Sequence, residues 1–160
     1  MRIHPKDVVL VSIQFLLFSC YTIDFDWSLG FSLFFRIIGL SFAIIGLIIS
    51  LLAVLQLNKN LSPFPTPTEN AILLENGLYK LARHPIYSGL LLLFYGYGIY
   101  VDSSYKLIIS SSLLVLFYFK TNYEERQLES KFSNYLNYKQ NVGRFFLLYI
   151  NSKNSHKKVK

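Results

Sequence analysis

Two charged pairs in this chain have the residue types and the setting to do chemistry. Arg83 and His84 stand immediately before Pro85 at the start of an apolar run, and Glu124 and Glu125 stand at the end of the next one. Proline suits the first position of a helix, where its missing N–H costs nothing. Arg83 and His84 therefore sit at a helix mouth, where free backbone N–H groups point outward. A helix start beside a cation suits an anion. Carboxylates suit an ammonium, or can take a proton from a reacting amine. Each pair alone has a plain explanation: a snorkelling anchor for Arg-His and a solvated helix turn for Glu-Glu. Opposite charges gathered at the edge of apolar segments point further, to a joint polar site. Other chemistries find little support. His4, His84 and His156 are scattered, so no histidine metal site is expected. The lone Cys20 forms no internal disulfide and no cysteine zinc site. There is no glycine-rich phosphate loop and no nucleophile elbow.

The two pairs meet only if the intervening chain folds back on itself, and the composition says how. Of 160 residues 52% are hydrophobic and 16% charged, against about 25% charged in a soluble domain. Disorder, a coiled coil and most soluble folds are thereby excluded. Only Arg36 is charged between Asp26 and Lys59, and nothing is charged between Arg83 and Asp102. Four apolar runs result, at 8–23, 31–57, 85–101 and 105–123. The first reads as a transmembrane helix. A signal segment is its other reading, since Leu17-Phe18-Ser19-Cys20 loosely resembles a lipoprotein cleavage site, with Phe18 a poor fit. The second, at about 1.5 Å per residue, crosses a hydrocarbon core of about 30 Å. Arg36 near its start is expected to snorkel, and Gly39 and Gly46, seven apart on one face, to permit close helix packing. Asp102-Ser103-Ser104 joins the third and fourth runs as a helical hairpin, with Lys106 and Lys120 snorkelling at the ends of the fourth. That hairpin brings Glu124 and Glu125 back to Arg83 and His84.

Lysine and arginine decide the orientation. They precede the first run, lie between the second and third, and crowd the segment after the fourth, whereas the opposite connections hold Asp24, Asp26 and Asp102. The expected fold is all-α: an integral membrane protein with four transmembrane helices and both termini cytoplasmic, in a bacterial inner membrane. The net charge of +7 sits at span ends and in the tail, which suits a lipid surface and not nucleic acid. Leu128, Phe132, Tyr135, Leu136 and Tyr138 recur at helical spacing, as in a cytoplasmic C-terminal amphipathic helix on the membrane. Residues 62–67, with alternate prolines, read as an extended linker. Residues 1–150 form one membrane-embedded domain, and 151–160 a flexible basic tail.

Taken together, Gly77-Leu78-Tyr79, Arg83-His84-Pro85-Ile86-Tyr87-Ser88-Gly89, the hairpin, Glu124-Glu125, Leu128, Phe132, Tyr135, Tyr138 and Val142 resemble the isoprenylcysteine carboxyl methyltransferase family. The likeness is to its broad bacterial branch, related to phospholipid N-methyltransferases, and it runs over residues 61–144. It implies an integral membrane methyltransferase using S-adenosylmethionine. The cofactor would be held at the cytoplasmic ends of the last two spans by Tyr79, Arg83, His84, Tyr87, Glu124 and Glu125. Arg83 suits its carboxylate, a glutamate its ammonium, and Tyr79 or Tyr87 its adenine or sulfonium. Glu124 and Arg144 are the candidate catalytic residues, and a lipid-like or isoprenoid, carboxyl-bearing acceptor enters from the bilayer. Asn141 stands where the carboxyl-methylating enzymes have arginine, and Phe145-Phe146-Leu147 where many bacterial relatives have a proline, which leaves the acceptor open. The competing readings are a non-enzymatic membrane protein, an assembly or transporter partner with a structural Arg/His–Glu/Glu network, and a cofactor binder without turnover.

Overall fold

A computed structural model describes residues 4–25, 27–57, 62, 64–67 and 71–145. Among the described residues five α-helices follow one another: α1 (Pro5–Tyr21), α2 (Leu33–Leu57), α3 (Pro85–Tyr100), α4 (Ser104–Lys131) and α5 (Tyr135–Asn141), with a 3-10 turn at Gly77–Lys80 before α3. Among the described residues there is no strand, only an isolated bridge between Ser28 and Ser103. The all-helical expectation holds. Of these helices, α2 is long and apolar enough to cross a membrane by length and composition. Its outward residues, among them Phe34, Ile37, Ile44, Ile48 and Leu55, are exposed, as are Phe15 and Leu16 of α1 and Val115 and Phe119 of α4. Apolar surface on this scale is unlike that of a soluble monomer.

The chain punctuates these helices locally. Pro5 and Pro85 each open a helix. Asp7 caps α1 by accepting the His4 N–H at 3.1 Å. Ser103 caps α4, its side chain accepting from the Lys106 N–H. The α3–α4 turn bends through Asp102 at a φ of 58°, a left-handed conformation that aspartate tolerates better than most residues. The Asp102 carboxylate accepts from the Ser28 hydroxyl and from the N–H groups of Leu29, Gly30 and Phe31. Those bonds, the Ser28 one foremost, hold its carboxyl below the ordinary range and tie the α1–α2 loop to the hairpin.

The closest packing is between α2 and α3. The buried residues of α2 are Gly39, Ala43, Gly46, Ser50 and Ala53, a stripe small enough for backbones to touch. A Cβ on Gly39 would lie 2.7 Å from the Gly96 carbonyl oxygen, and one on Gly46 2.5 Å from that of Gly89. The spacing argument for Gly39 and Gly46 is thus confirmed. In apolar surroundings such close approach supplies the packing that hydrophobic burial cannot.

Two basic residues, Lys106 and Lys120, depart from the snorkelling expectation, whereas Arg36 stays exposed near the start of α2. Arg36 donates Nε–H to the Tyr100 carbonyl at 2.8 Å, closing the end of α3. Lys106 is buried and bonds the Tyr21 carbonyl at 2.8 Å and Asp24 at 2.9 Å. Lys120 is 1% exposed and bonds Gln14 on α1. In both lysines the reason is α1. It packs along α4 and offers polar partners, Gln14, the Tyr21 carbonyl and Asp24, that spacing along α4 alone does not reveal.

The C-terminal amphipathic helix is also revised. Helix α4 runs on past the apolar run to Lys131, breaks at Phe132, which is extended, and α5 begins at Tyr135. Ser133 and Asn134, poor helix formers that favour turns, fall at the break. Tyr135, Tyr138 and Val142 pack with Leu73, Leu128 and Phe132. The apolar stripe therefore faces the chain's own 71–74 segment, and of its members Leu136 stays exposed. The tail 151–160 lies outside the described residues.

Candidate functional site

The hairpin returns α4 to the start of α3 and so brings the two charged pairs together. Glu125 is the hub. Its side chain is 1% exposed. The Arg83 Nε–H and Nη2–H donate to Oε1 at 3.0 and 2.8 Å. Arg144 donates to both oxygens at 3.2 and 3.1 Å. His84 Nε2 lies 3.3 Å from Oε1, and Lys139 Nζ 3.1 Å from Oε2. Burial would raise the Glu125 carboxyl, but the hydrogen bond with His84 and the charges of His84 and Arg83 outweigh it and hold it well below the carboxylate range. Arg83 also donates through Nη1 to the carbonyls of Lys139 and Val142. Its backbone N–H and that of His84 go to the carbonyls of Gly143 and Arg144 at 2.9 and 3.1 Å. The two N–H groups that the helix-mouth reading offers to an anion are thus taken by the returning C-terminal segment, and Arg83 clamps that segment.

Glu124 is placed differently. It turns away from the hub, with its side chain 26% exposed. It accepts from the Tyr87 hydroxyl at 3.4 Å and lies 3.8 Å from His84 Nδ1. Burial raises its carboxyl against the pull of His84 and Lys120. Neighbouring carboxyls driven in opposite directions divide their roles: one is fixed as an anion and the other can exchange a proton.

Two cavities adjoin this arrangement, and Leu57, Ser62, Tyr79, Arg83 and Glu124 line both. The first, about 100 Å³, lies between residues 64–67 and 71–74 on one side and the C-terminal cluster of Leu128, Phe132, Tyr135 and Tyr138 on the other. The second, about 280 Å³, extends between α1 and α3 and adds Gln14, His84, Tyr87, Leu90 and Lys120. Glu125 and Arg144 line neither. Tyr135 is the clearest addition. It is 1% exposed, and its hydroxyl has no hydrogen-bond partner among the described residues. An unmet buried hydroxyl costs about 1–3 kcal/mol, which is a reason to look for a ligand there. Its neighbour Tyr138, by contrast, donates to the Tyr79 carbonyl at 2.5 Å.

Of the residues singled out from the sequence, Tyr79, Arg83, His84, Tyr87 and Glu124 line a cavity, whereas Glu125 and Arg144 support it. Sequence reasoning missed Gln14 and Lys120. The one available signal was a lone amide in an otherwise apolar run, seven residues after Asp7 and seven before Tyr21. That spacing places the three on one helix face.

The family model described as phospholipid methyltransferase matches residues 34–135. The chain belongs to that family, which is related to the isoprenylcysteine carboxyl methyltransferases it resembles at Arg83-His84-Pro85 and Glu124-Glu125. Comparison with curated proteins gives no match.

Proposed function

We propose that this chain is an integral membrane methyltransferase that takes its methyl group from S-adenosylmethionine and gives it to a lipid-like acceptor. The observation carrying this reading is the joint cavity at one end of the helical bundle, where Arg83, Glu124, Tyr79 and Tyr135 converge. The residues fit the cofactor's chemistry. Glu124 is the carboxylate that faces the cavities and suits the ammonium. The unmet Tyr135 hydroxyl and the Arg83 guanidinium suit oxygen acceptors such as the carboxylate and ribose. Tyr79, Phe132 and Tyr138 offer aromatic walls for the adenine. His84 and Tyr87 close the side toward α1, their rings stacked 5.8 Å apart, and Glu125 fixes Arg83 and His84 from behind.

When bound, S-adenosylmethionine supplies an electrophilic methyl group on a sulfonium and departs as a neutral thioether. The protein's part in such a displacement is alignment and exclusion of water. A carboxylate acceptor needs no base, whereas an amine acceptor loses a proton, for which Glu124 is the candidate. Arg144 serves the reaction through Glu125, at a distance from the cavities. In this reading α1 to α4 are four membrane spans with both termini cytoplasmic, residues 1–150 are one domain, and the acceptor enters from the bilayer. The exposed apolar faces of α1, α2 and α4 support it. The structural network demanded by the non-enzymatic reading exists around Glu125, but it leaves the cavities and Tyr135 unexplained.

Isothermal titration of the purified protein with S-adenosylmethionine and its demethylated product, followed by transfer of labelled methyl into a lipid extract, tests the proposal. Binding of both with labelled lipid supports it. Absence of binding would return the charged groups to a purely structural role.

A further inference from the structure

We propose that Lys120, oriented by Gln14 of α1, binds an anionic group of the acceptor. The inference rests on the methyltransferase reading and adds to it which side of the site the acceptor uses and what it carries. A lysine within an apolar helix is expensive unless partnered or used, and this one turns inward, 1% exposed, onto the wall of the larger cavity. One of its N–H donors goes to Gln14 Oε1 at 2.5 Å. Its Nζ lies 5.3 Å from the centroid of the Tyr87 ring, the ring whose hydroxyl donates to Glu124. The carboxylates of Glu124 and Asp7 attract it from the same helix and from α1.

The cavity's cations are not equivalent. Arg83 commits four of its five N–H donors to Glu125 and to two carbonyls that hold the C-terminal segment, which leaves one for the cofactor. Lys120 stands on the α1 side of Tyr87, away from the Tyr135 end. With Glu124 turned to the cofactor's ammonium, Lys120 is the cation that faces a ligand entering between α1 and α3. Val54, Leu57, Ile86 and Leu90 line the same space. A carbon chain beside one anionic group matches that lining: an acyl or prenyl amphiphile with a carboxylate or phosphate head. Gln14, on α1, lies outside the family-matched residues 34–135.

The test measures binding of three probes of equal chain length, dodecyl phosphate, dodecanoate and dodecanol, to the full chain in non-ionic detergent, beside titration with S-adenosylmethionine. The parent should bind at least one anionic probe tenfold or more tighter than dodecanol, and the stronger of the two tells a phosphate head from a carboxylate. Lys120→Met should abolish that preference and Lys120→Arg retain it. Gln14→Leu should weaken it several-fold, with each variant eluting from size exclusion as the parent does. A parent without preference for either anion overturns the proposal whether or not any variant folds, and so does a preference that survives in Lys120→Met. Failure of the parent to bind S-adenosylmethionine strikes at the methyltransferase reading instead, and the probe series still reports on Lys120.

Discussion

Glu124 and Glu125 are adjacent and identical in type, yet they meet opposite surroundings, and two substitutions separate them. Glu125→Gln keeps size and removes the anion that Arg83, Lys139 and Arg144 share. Breaking a buried ion pair on one side costs about 3–5 kcal/mol, so this variant should lose thermal stability and loosen residues 139–144, read by hydrogen exchange. Glu124→Gln should keep the fold. Its loss should appear in S-adenosylmethionine affinity, by about 1.5–3 kcal/mol, the value of a hydrogen bond to a charged group. A Glu125→Gln protein as stable as the parent would remove the hub from the account. The pH dependence follows the same division. The Glu125 carboxyl is depressed in the folded protein, so its stabilisation is present above the unfolded value of about 4.3 and is lost only as pH falls through the much lower folded value. The Glu124 carboxyl is raised, so its ionisation opposes folding once pH passes the ordinary range. In the absence of cofactor, Glu124→Gln should therefore be more stable than the parent at neutral pH, and the difference should vanish in acid. Denaturation in detergent across pH 3 to 8, a window chosen around about 4.3, checks the sign. Arg83→Lys belongs here too. A lysine cannot reproduce a guanidinium that reaches one carboxylate and two carbonyls at once, so this variant should insert but show faster exchange at 139–144.

At the scale of elements, α2 and α3 cross through glycine, and the consequence is sharp. Gly46→Ala would drive a Cβ to 2.5 Å from both the Gly89 carbonyl oxygen and the Leu93 backbone nitrogen. Backbone cannot rotate aside, so a cost of about 1–3 kcal/mol is expected, as for overpacking. Gly98→Ala is the control, since its added Cβ meets the flexible Leu107 side chain at 2.9 Å and should cost less. Comparing the two melting temperatures in detergent decides the matter, and equal losses would mean that the crossing is looser than described. This crossing was legible in the sequence because small residues at helical spacing leave a pattern in one segment. The hairpin was legible too, since Asp102-Ser103-Ser104 leaves little other route. What lay hidden depends on two segments at once. The inward turn of Lys106 and Lys120 requires Tyr21, Asp24 and Gln14, and their packing against α4 has no signature in either helix alone. The stripe from Leu128 to Tyr138 was read as one amphipathic helix because apolar spacing continues across the break at Phe132. Periodicity does not register that this face packs on the chain's own Leu73.

For the whole molecule, the distribution of charge and of exposed apolar surface argues for one orientation in a bilayer. The α1–α2 loop and the α3–α4 turn are drawn together by Asp102, so both lie at the same end of the bundle. The Arg83–Glu125 network and α5 lie at the other end, since α3 and α4 are joined at Asp102 and run back from it. The described part of the Asp102 end carries few lysines and arginines, whereas the opposite end gathers Lys80, Arg83, Arg126, Lys131, Lys139 and Arg144. In the topology proposed above this excess of lysine and arginine faces the cytoplasm, and the cavities with it. Two positions test this directly in a Cys20→Ser background: Leu29, 51% exposed in the α1–α2 loop, and Leu136, 57% exposed on α5. With intact cells, an impermeant thiol reagent should label Leu29→Cys and spare Leu136→Cys until the membrane is opened. Labelling of both from outside would mean that the bundle does not span as proposed. Labelling of Leu136→Cys alone would invert the proposed orientation.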